Sequence, residues 1–194
     1  MTSHDVVLRA RRLLGEKRIG HLGTLDPFAT GVLVLLVGQA TRLARFYGAR
    51  EKSYQGIIRF GFSTDTMDRT GRPLSDDCNP ELKEAVLRNA FSEFVGPYTQ
   101  RPPLFSAKKV AGVPAYRLAR KGQTADLAPV PVVIHAFDFL WLEGPRAGFG
   151  SRVSAGTYIR SLVHDLGERM GVGAHLEELR RASVGEFGEQ ESLS

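Results

Sequence analysis

The chain has 194 residues, 42% hydrophobic and 24% charged, with a single cysteine. This is an ordinary soluble composition, and the length suits one domain that buries about 70% of its unfolded surface without a disulfide or structural metal. Cys78 alone excludes an intramolecular disulfide, a zinc ribbon and the His/Cys/Cys ligand set of the zinc-dependent base deaminases. No run of about 18 apolar residues offers a membrane span. The stretch Gly31 to Gly38 (GVLVLLVG) is too short for one, and its position does not suit a signal peptide, so a cytoplasmic protein is expected.

Charge is unevenly distributed. Residues 1–50 carry eight basic and three acidic side chains and residues 101–125 carry six basic and none acidic, whereas 51–100 and 126–194 are net acidic. Two basic blocks fit a positive surface for a polyanion. By charge alone they fit an ordinary solvated face equally well.

Thr2-Ser3-His4-Asp5 reads as a capping box, followed by Val6, Val7, Ala10, Leu13 and Leu14 at helical spacing with Arg9, Arg11 and Arg12 opposite. A Gly-rich loop (Gly20 to Pro27) leads into the apolar run ending at Gly38, and 40–47 is predicted helical. Lys52 to Phe62 reads as a strand and Ser63 to Gly71 as a polar turn. Asn79-Pro80-Glu81 reads as a helix opening, with Asn as cap and Pro at the first helical position. Val130 to Leu142 alternates as a long strand, and Gly144 to Gly150 turns into a shorter one. Ile159, Leu162, Val163, Leu166 and Met170 mark an amphipathic helix, and Ala174 to Arg181 a shorter helix. Helices and strands intermix without strict βαβ alternation, which predicts an α+β domain on a mostly antiparallel, mixed sheet flanked by helices.

Several motifs fail on inspection. Gly171-Val172-Gly173 lacks the strand and third glycine of a dinucleotide fingerprint. Asp65-x-x-Asp68-x-x-Gly71 lacks calcium-loop spacing and reads as a hydrogen-bonded turn. Cys78 follows two aspartates that oppose thiolate formation, and His135 reads as a strand residue. What remains is the loop Gly20 to Gly31 (GHLGTLDPFATG), where Asp26 sits among small residues before a chain-stiffening proline. A carboxylate held this rigidly suits catalysis. Spacing alone favours the simpler reading that Asp26 caps the following turn.

The segment GHLGTLDPFATGVLVLLVGQATRL (Gly20 to Leu43) resembles the signature of the TruB family of RNA pseudouridine synthases. Five further blocks resemble the family in order: Thr2 to Leu14, Lys52 to Gly71, Arg101 to Gly122, Ser154 to Gly167 (SAGTYIRSLVHDLG) and Leu179 to Phe187 (LRRASVGEF). The resemblance implies the pseudouridine synthase catalytic fold and isomerisation of uridine at position 55 in the T loop of transfer RNA. Uracil is detached at N1, turned and rejoined through C5. The atoms are conserved, so neither metal nor cofactor is expected.

On this resemblance Asp26 is the catalytic carboxylate, either adding to the ring or assisting glycosidic cleavage. Arg160 is the arginine that pairs with it, expected to lower its pKa despite burial. Tyr54 is the tyrosine that stacks on the target base and acts at the C5 proton; Tyr158 and Leu179 also line the base pocket. His21 packs in the RNA loop where the base has left. By residue type alone, Tyr54 and Leu179 read equally well as core. The first helix and the block Arg101 to Lys121 are expected to contact RNA phosphates.

The family pattern differs in three places. The chain begins immediately before Thr2, so the resemblance implies one catalytic domain over 1–194 lacking the usual N-terminal strand. It also implies that the small C-terminal RNA-binding domain is lacking. Val153-Ser154-Ala155 stands where the family has Cys-Ser-Lys. A monomer is expected. Two alternatives fit part of the pattern: a dyskerin-like, guide-dependent synthase, and a transfer RNA binding or folding protein without catalysis.

Overall fold

A computed structural model describes residues 1–106, 108–110, 112–119, 122–123 and 127–193. Within the basic block from Arg101, residues Ala107, Ala111, Arg120 and Lys121 lie outside the described residues.

Thr2 caps α1 (Ser3–Leu14), accepting the Asp5 amide at 3.2 Å while Asp5 Oδ2 accepts the Thr2 amide at 2.8 Å. Both orphan donors of the first turn are thereby satisfied, as the T-x-x-D pattern predicts. The helix buries Val7, but Leu13 and Leu14 are 75% and 60% exposed, against the apolar stripe expected of them. Arg11, expected on the polar face, turns inward and donates to the Ile19 carbonyl at 3.1 Å.

β1 (Ile19–His21) pairs antiparallel with β3 (Leu35–Val37), and β2 (Thr30–Gly31) lies between them in sequence. The helix expected over 40–47 is a 3-10 turn, Gly38–Leu43, followed by one helical turn, α2 (Ala44–Tyr47). β4 (Lys52–Phe60) leads through a polar turn to α3 (Glu84–Ser92). This helix starts five residues beyond the expected Asn79 cap. Asn79 has φ +40° and its amide bonds Asp77 Oδ1 at 2.9 Å, so an aspartate-closed turn uses the residues that resembled a cap.

β5 (Gly96–Gln100), the short pair β6 (Lys109–Val110) and β7 (Val113–Pro114), and α4 (Ala115–Ala119) precede the long hairpin of β8 (Val130–Glu143) and β9 (Arg146–Val153). α5 (Ile159–Met170), β10 (Ala174–Val184) and β11 (Phe187–Gly188) complete the chain order.

The main sheet runs β11-β10-β4-β9-β8-β5, antiparallel throughout, with β2 joining β10 in parallel. The α+β, mostly antiparallel expectation therefore holds. Alternation along β4 sends Tyr54, Ile58 and Phe60 to the face covered by α3 and α5. There they meet Leu87 and Phe91 of α3 and Leu162 and Leu166 of α5. Each such side chain contributes about 1.5–3 kcal/mol by leaving water.

β10 corrects the expected short helix over Ala174 to Arg181. It is a strand of 11 residues between β4 on one side and β2 and β11 on the other. Its register slips between Leu176 and Glu178 and again between Arg181 and Ser183. A bulge adds one residue to the period of two. Leu176 and Leu179 thus face the same core at a spacing of three, which on paper looks helical.

Candidate active site

The site forms where the loop between β1 and β2 meets the start of α5. Ser3, at the first turn of α1, accepts the Leu25 amide at 3.0 Å and fixes the loop one residue before Asp26. The Ala29 amide bonds the Asp26 carbonyl at 2.9 Å, closing the turn through backbone and leaving the carboxylate free to point elsewhere.

That carboxylate points at Arg160. Arg160 Nε donates to Asp26 Oδ2 at 3.0 Å and Nη2 to Oδ1 at 2.9 Å, a two-pronged pair between a guanidinium 5% exposed and a carboxylate 30% exposed. Bidentate geometry of this kind holds both groups in one plane. The turn-capping alternative for Asp26 is thus set aside. Gln100, fully buried, holds the start of α5 in place by accepting the Tyr158 amide at 2.6 Å and donating to the Tyr158 carbonyl at 3.1 Å.

Arg160 also donates to the Thr66 carbonyl at 3.0 Å and the Phe105 carbonyl at 2.9 Å, and its Nη1 lies 3.6 Å from Asp68 Oδ2. Asp68 is buried, and its Oδ1 accepts from Thr66 Oγ1, the Thr70 amide and Thr70 Oγ1 at 2.8, 2.9 and 2.5 Å. The segment is the hydrogen-bonded turn that its residues predict, and it also brings a second carboxylate to face Arg160, which no local pattern announces. Between Thr66 and Asp68, Met67 adopts φ +62°. A non-glycine residue there carries about 1–3 kcal/mol of strain, which the bonds on either side must hold.

Burial raises the Asp26 pKa above its ordinary value, with Asp68 adding to the rise; the charge and hydrogen bonds of Arg160 pull the other way without overcoming burial. The expected lowering is therefore corrected. Desolvation penalises the anion more than one partner, shared with Asp68, repays.

Tyr54 is 8% exposed in the core beside the site. Burial pushes its hydroxyl up, Arg181 pulls it down, and Asp26 is near enough for its charge to raise it. Leu179, also buried, pairs in register with Gly56 two residues from Tyr54. Tyr158 is half-buried directly before α5. His21 ends β1, and burial together with Arg181 keeps its imidazole below its ordinary pKa and so neutral near pH 7. The structure thus joins Asp26 to Arg160 directly and sets Tyr54 and Leu179 in the adjoining core, with His21 at the end of β1 where the loop begins. Cys78 is exposed and apart, and His135 pairs with Glu51 at 3.1 Å.

The sequence model described as "TruB family pseudouridylate synthase (N terminal domain)" matches residues 11–159. The chain belongs to the TruB family. A second family model, "tRNA pseudouridylate synthase B C-terminal domain", matches residues 160–194. The boundary between the two matches falls inside α5, and the Asp26–Arg160 pair spans it.

Among TruB relatives, "tRNA pseudouridine synthase B" of Solibacter usitatus is 51% identical over 186 residues, 96% of this chain and 64% of that protein. The protein of the same name from Opitutus terrae is 44% identical over 193 residues, 100% of this chain and 80% of that one. The chain thus spans under two thirds of the Solibacter relative and of others such as that of Geotalea uraniireducens, where it covers 60%. Among solved structures, a chain of "Crystal Structure of a Cbf5-Nop10-Gar1 Complex" superposes with TM-score 0.75 at 32% identity, over 97% of this chain and 47% of that one. A chain of "Structure of H/ACA RNP bound to a substrate RNA containing 2'-deoxyuridine" gives TM-score 0.73 at 29% identity, over 100% of this chain and 47% of that one.

Proposed function

We propose that this chain converts uridine to pseudouridine at position 55 in the T loop of transfer RNA. The observation that carries the reading is the two-pronged pair that the buried Arg160 makes with Asp26 beside Tyr54. An ionised carboxylate held in fixed orientation next to a tyrosine ring is what a reaction at C1′ and C6 of an extruded uridine requires.

In this reading the uridine leaves the T loop and enters the site, where Tyr54 stacks on the base and Tyr158 and Leu179 line the pocket. Asp26 acts on the ring or on the sugar as uracil leaves N1. Arg160 keeps Asp26 oriented and charged enough to react, although burial works against the charge. Tyr54 manages the C5 proton after the base has turned and rejoined. His21, neutral and flat, fills the place left in the RNA loop and returns part of the unstacking cost. The isomerisation conserves the atoms of uridine, so it calls for no co-reactant, metal or cofactor.

The exposed arginines of α1, Arg9 and Arg12, and the basic block from Arg101 are suited to phosphate contacts, which position RNA without reading sequence. We take the 194 residues to act as one catalytic domain, monomeric and cytoplasmic. A guide-dependent reading has the ribonucleoprotein neighbours in its favour. The 51% and 44% identities to transfer RNA synthases, against 32% and 29% to those structures, favour action without a guide.

The test is tritium release from a transfer RNA transcript labelled at uridine C5, with mapping of the modified position and no guide RNA present. Release at the T-loop uridine supports the reading. RNA binding without release supports the binding or folding alternative, and release only with guide RNA supports the dyskerin-like one.

A further inference from the structure

Arg181 is 1% exposed and is the largest fully buried side chain of the described residues. Its neighbour Arg180 reaches the opposite face of β10 and pairs with Glu189 at 2.6 Å, whereas no ion pair among the described residues involves Arg181. A buried guanidinium without a counter-ion is costly and calls for a reason.

Its surroundings are specific. Nε donates to the Val32 carbonyl at 2.8 Å and Nη2 to the Gly23 carbonyl at 3.1 Å, so one side chain ties both limbs of the loop that carries Asp26. The Val32 amide returns to the Arg181 carbonyl at 2.8 Å, and Arg181 stands opposite Tyr54 in the β10–β4 register with both side chains buried. The unpaired charge also reaches beyond these bonds: burial lowers the pKa of Lys52 on β4 and of His21 on β1, and the charge of Arg181 lowers both further. The charged groups acting on the Tyr54 hydroxyl are Arg181 from β10 and Asp26 from the loop, and they act in opposite senses.

We propose that Arg181 is a positioning residue for the reaction: it locks the Asp26 loop to Tyr54 and serves as counter-charge for the anion that Tyr54 becomes while handling the C5 proton. The partner missing from the resting protein is then a charge that exists only during turnover, which is where a preorganised cation has most effect. The proposal rests on the reading of Tyr54 given above. In the step concerned, the neutral Tyr54 phenol first gives its proton to N1 of the rejoined base and becomes the phenolate facing Arg181. The phenolate then takes the proton from C5, the C5–H electron pair forms the C5–C6 double bond, and the π pair of the C6–N1 bond settles on N1. Tyr54 is a neutral phenol again at the end, and one proton has moved from C5 to N1.

The test combines two measurements on full-length wild type, Arg181→Gln, Arg181→Lys and Tyr54→Phe. Ultraviolet difference titration of phenolate absorbance, with Tyr54→Phe subtracted, isolates Tyr54 among the five tyrosines and needs no activity. Tyr54 is expected to ionise at higher pH in Arg181→Gln and near the wild-type position in Arg181→Lys. Single-turnover C5 tritium release is expected to fall about 100-fold in Arg181→Gln and about 10-fold in Arg181→Lys, with RNA affinity within about 3-fold of wild type. A Tyr54 titration that does not move in Arg181→Gln overturns the proposal, as does lost RNA affinity with unchanged release, which would mark Arg181 as a phosphate contact. If Arg181→Gln does not fold, Arg181→Lys decides. Retained titration supports the role of the charge, and a shifted one overturns it. Absence of release from the wild type would instead sink the proposed function, while leaving the titration to judge Arg181.

Discussion

Asp26 and Arg160 are 134 residues apart in the chain and are joined by two hydrogen bonds of 3.0 and 2.9 Å. The loop that brings Asp26 is fixed by Ser3 on one side and Arg181 on the other, and the helix that brings Arg160 is fixed by Gln100. The geometry of the pair is therefore decided by three separate anchors rather than by the two residues themselves.

Asp26→Asn is expected to reduce C5 tritium release by more than about 1000-fold while leaving transfer RNA affinity within about 3-fold. The amide keeps the shape but loses the charge and turns one acceptor into a donor facing the guanidinium. Normal release from this variant would remove Asp26 from the mechanism.

Asp68→Asn is expected to destabilise the fold by about 1–3 kcal/mol in urea unfolding, because a buried oxygen with three donors is replaced by a group that cannot accept all of them. The Asp68 charge raises the Asp26 pKa, so its removal is also expected to move the acidic limb of the rate–pH profile to lower pH. An unmoved limb would show that Asp26 does not sense Asp68.

For the wild type, kcat/KM is expected to fall as pH drops through the Asp26 pKa, with the limb above the ordinary 3.8 because burial raises that pKa. Stability carries the opposite sign. Between 3.8 and the raised value the folded state binds more proton than the unfolded state, so the contribution of this group to stability declines as pH rises through that window and stays low above it. An acidic limb at or below 3.8 contradicts the assignment.

Gly31→Ala is expected to cost at least about 2 kcal/mol and most of the activity. Gly31 has φ +97°, and an added Cβ would stand 2.2 Å from the Arg181 carbonyl, where β2 docks on β10. Wild-type stability in urea unfolding would show that the loop has another way to seat itself.

Transfer RNA affinity is expected to weaken at least about 10-fold between about 0.05 and about 0.2 M salt, since phosphate contacts release counterions. A filter-binding series that stayed flat over that range would contradict the basic-surface reading.

Features set by near neighbours in the chain could be read from the residues. The Thr2–Asp5 capping box involves two residues three apart, and the β8 alternation and the α5 stripe repeat within a few turns or pleats. Asp26, Arg160, Tyr54, Tyr158, Leu179 and His21 were singled out through resemblance to a family, and the tertiary contacts then supplied what a motif lacks: partners and burial. The motif alone therefore points the Asp26 pKa down, whereas the folded site raises it. A neighbouring arginine is visible in a motif, but the extent of desolvation and the competing Asp68 are not.

Local pattern therefore settled the Thr2 cap, the long strand and the amphipathic helix. Tertiary structure alone decided that 174–184 is a strand, because two bulges give its core residues a helical spacing and only pairing with β4 and β2 reveals the difference. It alone decided that Leu13 and Leu14 stay in water and that Arg181 does not, since burial depends on what the rest of the chain lays against a side chain, which no local window contains.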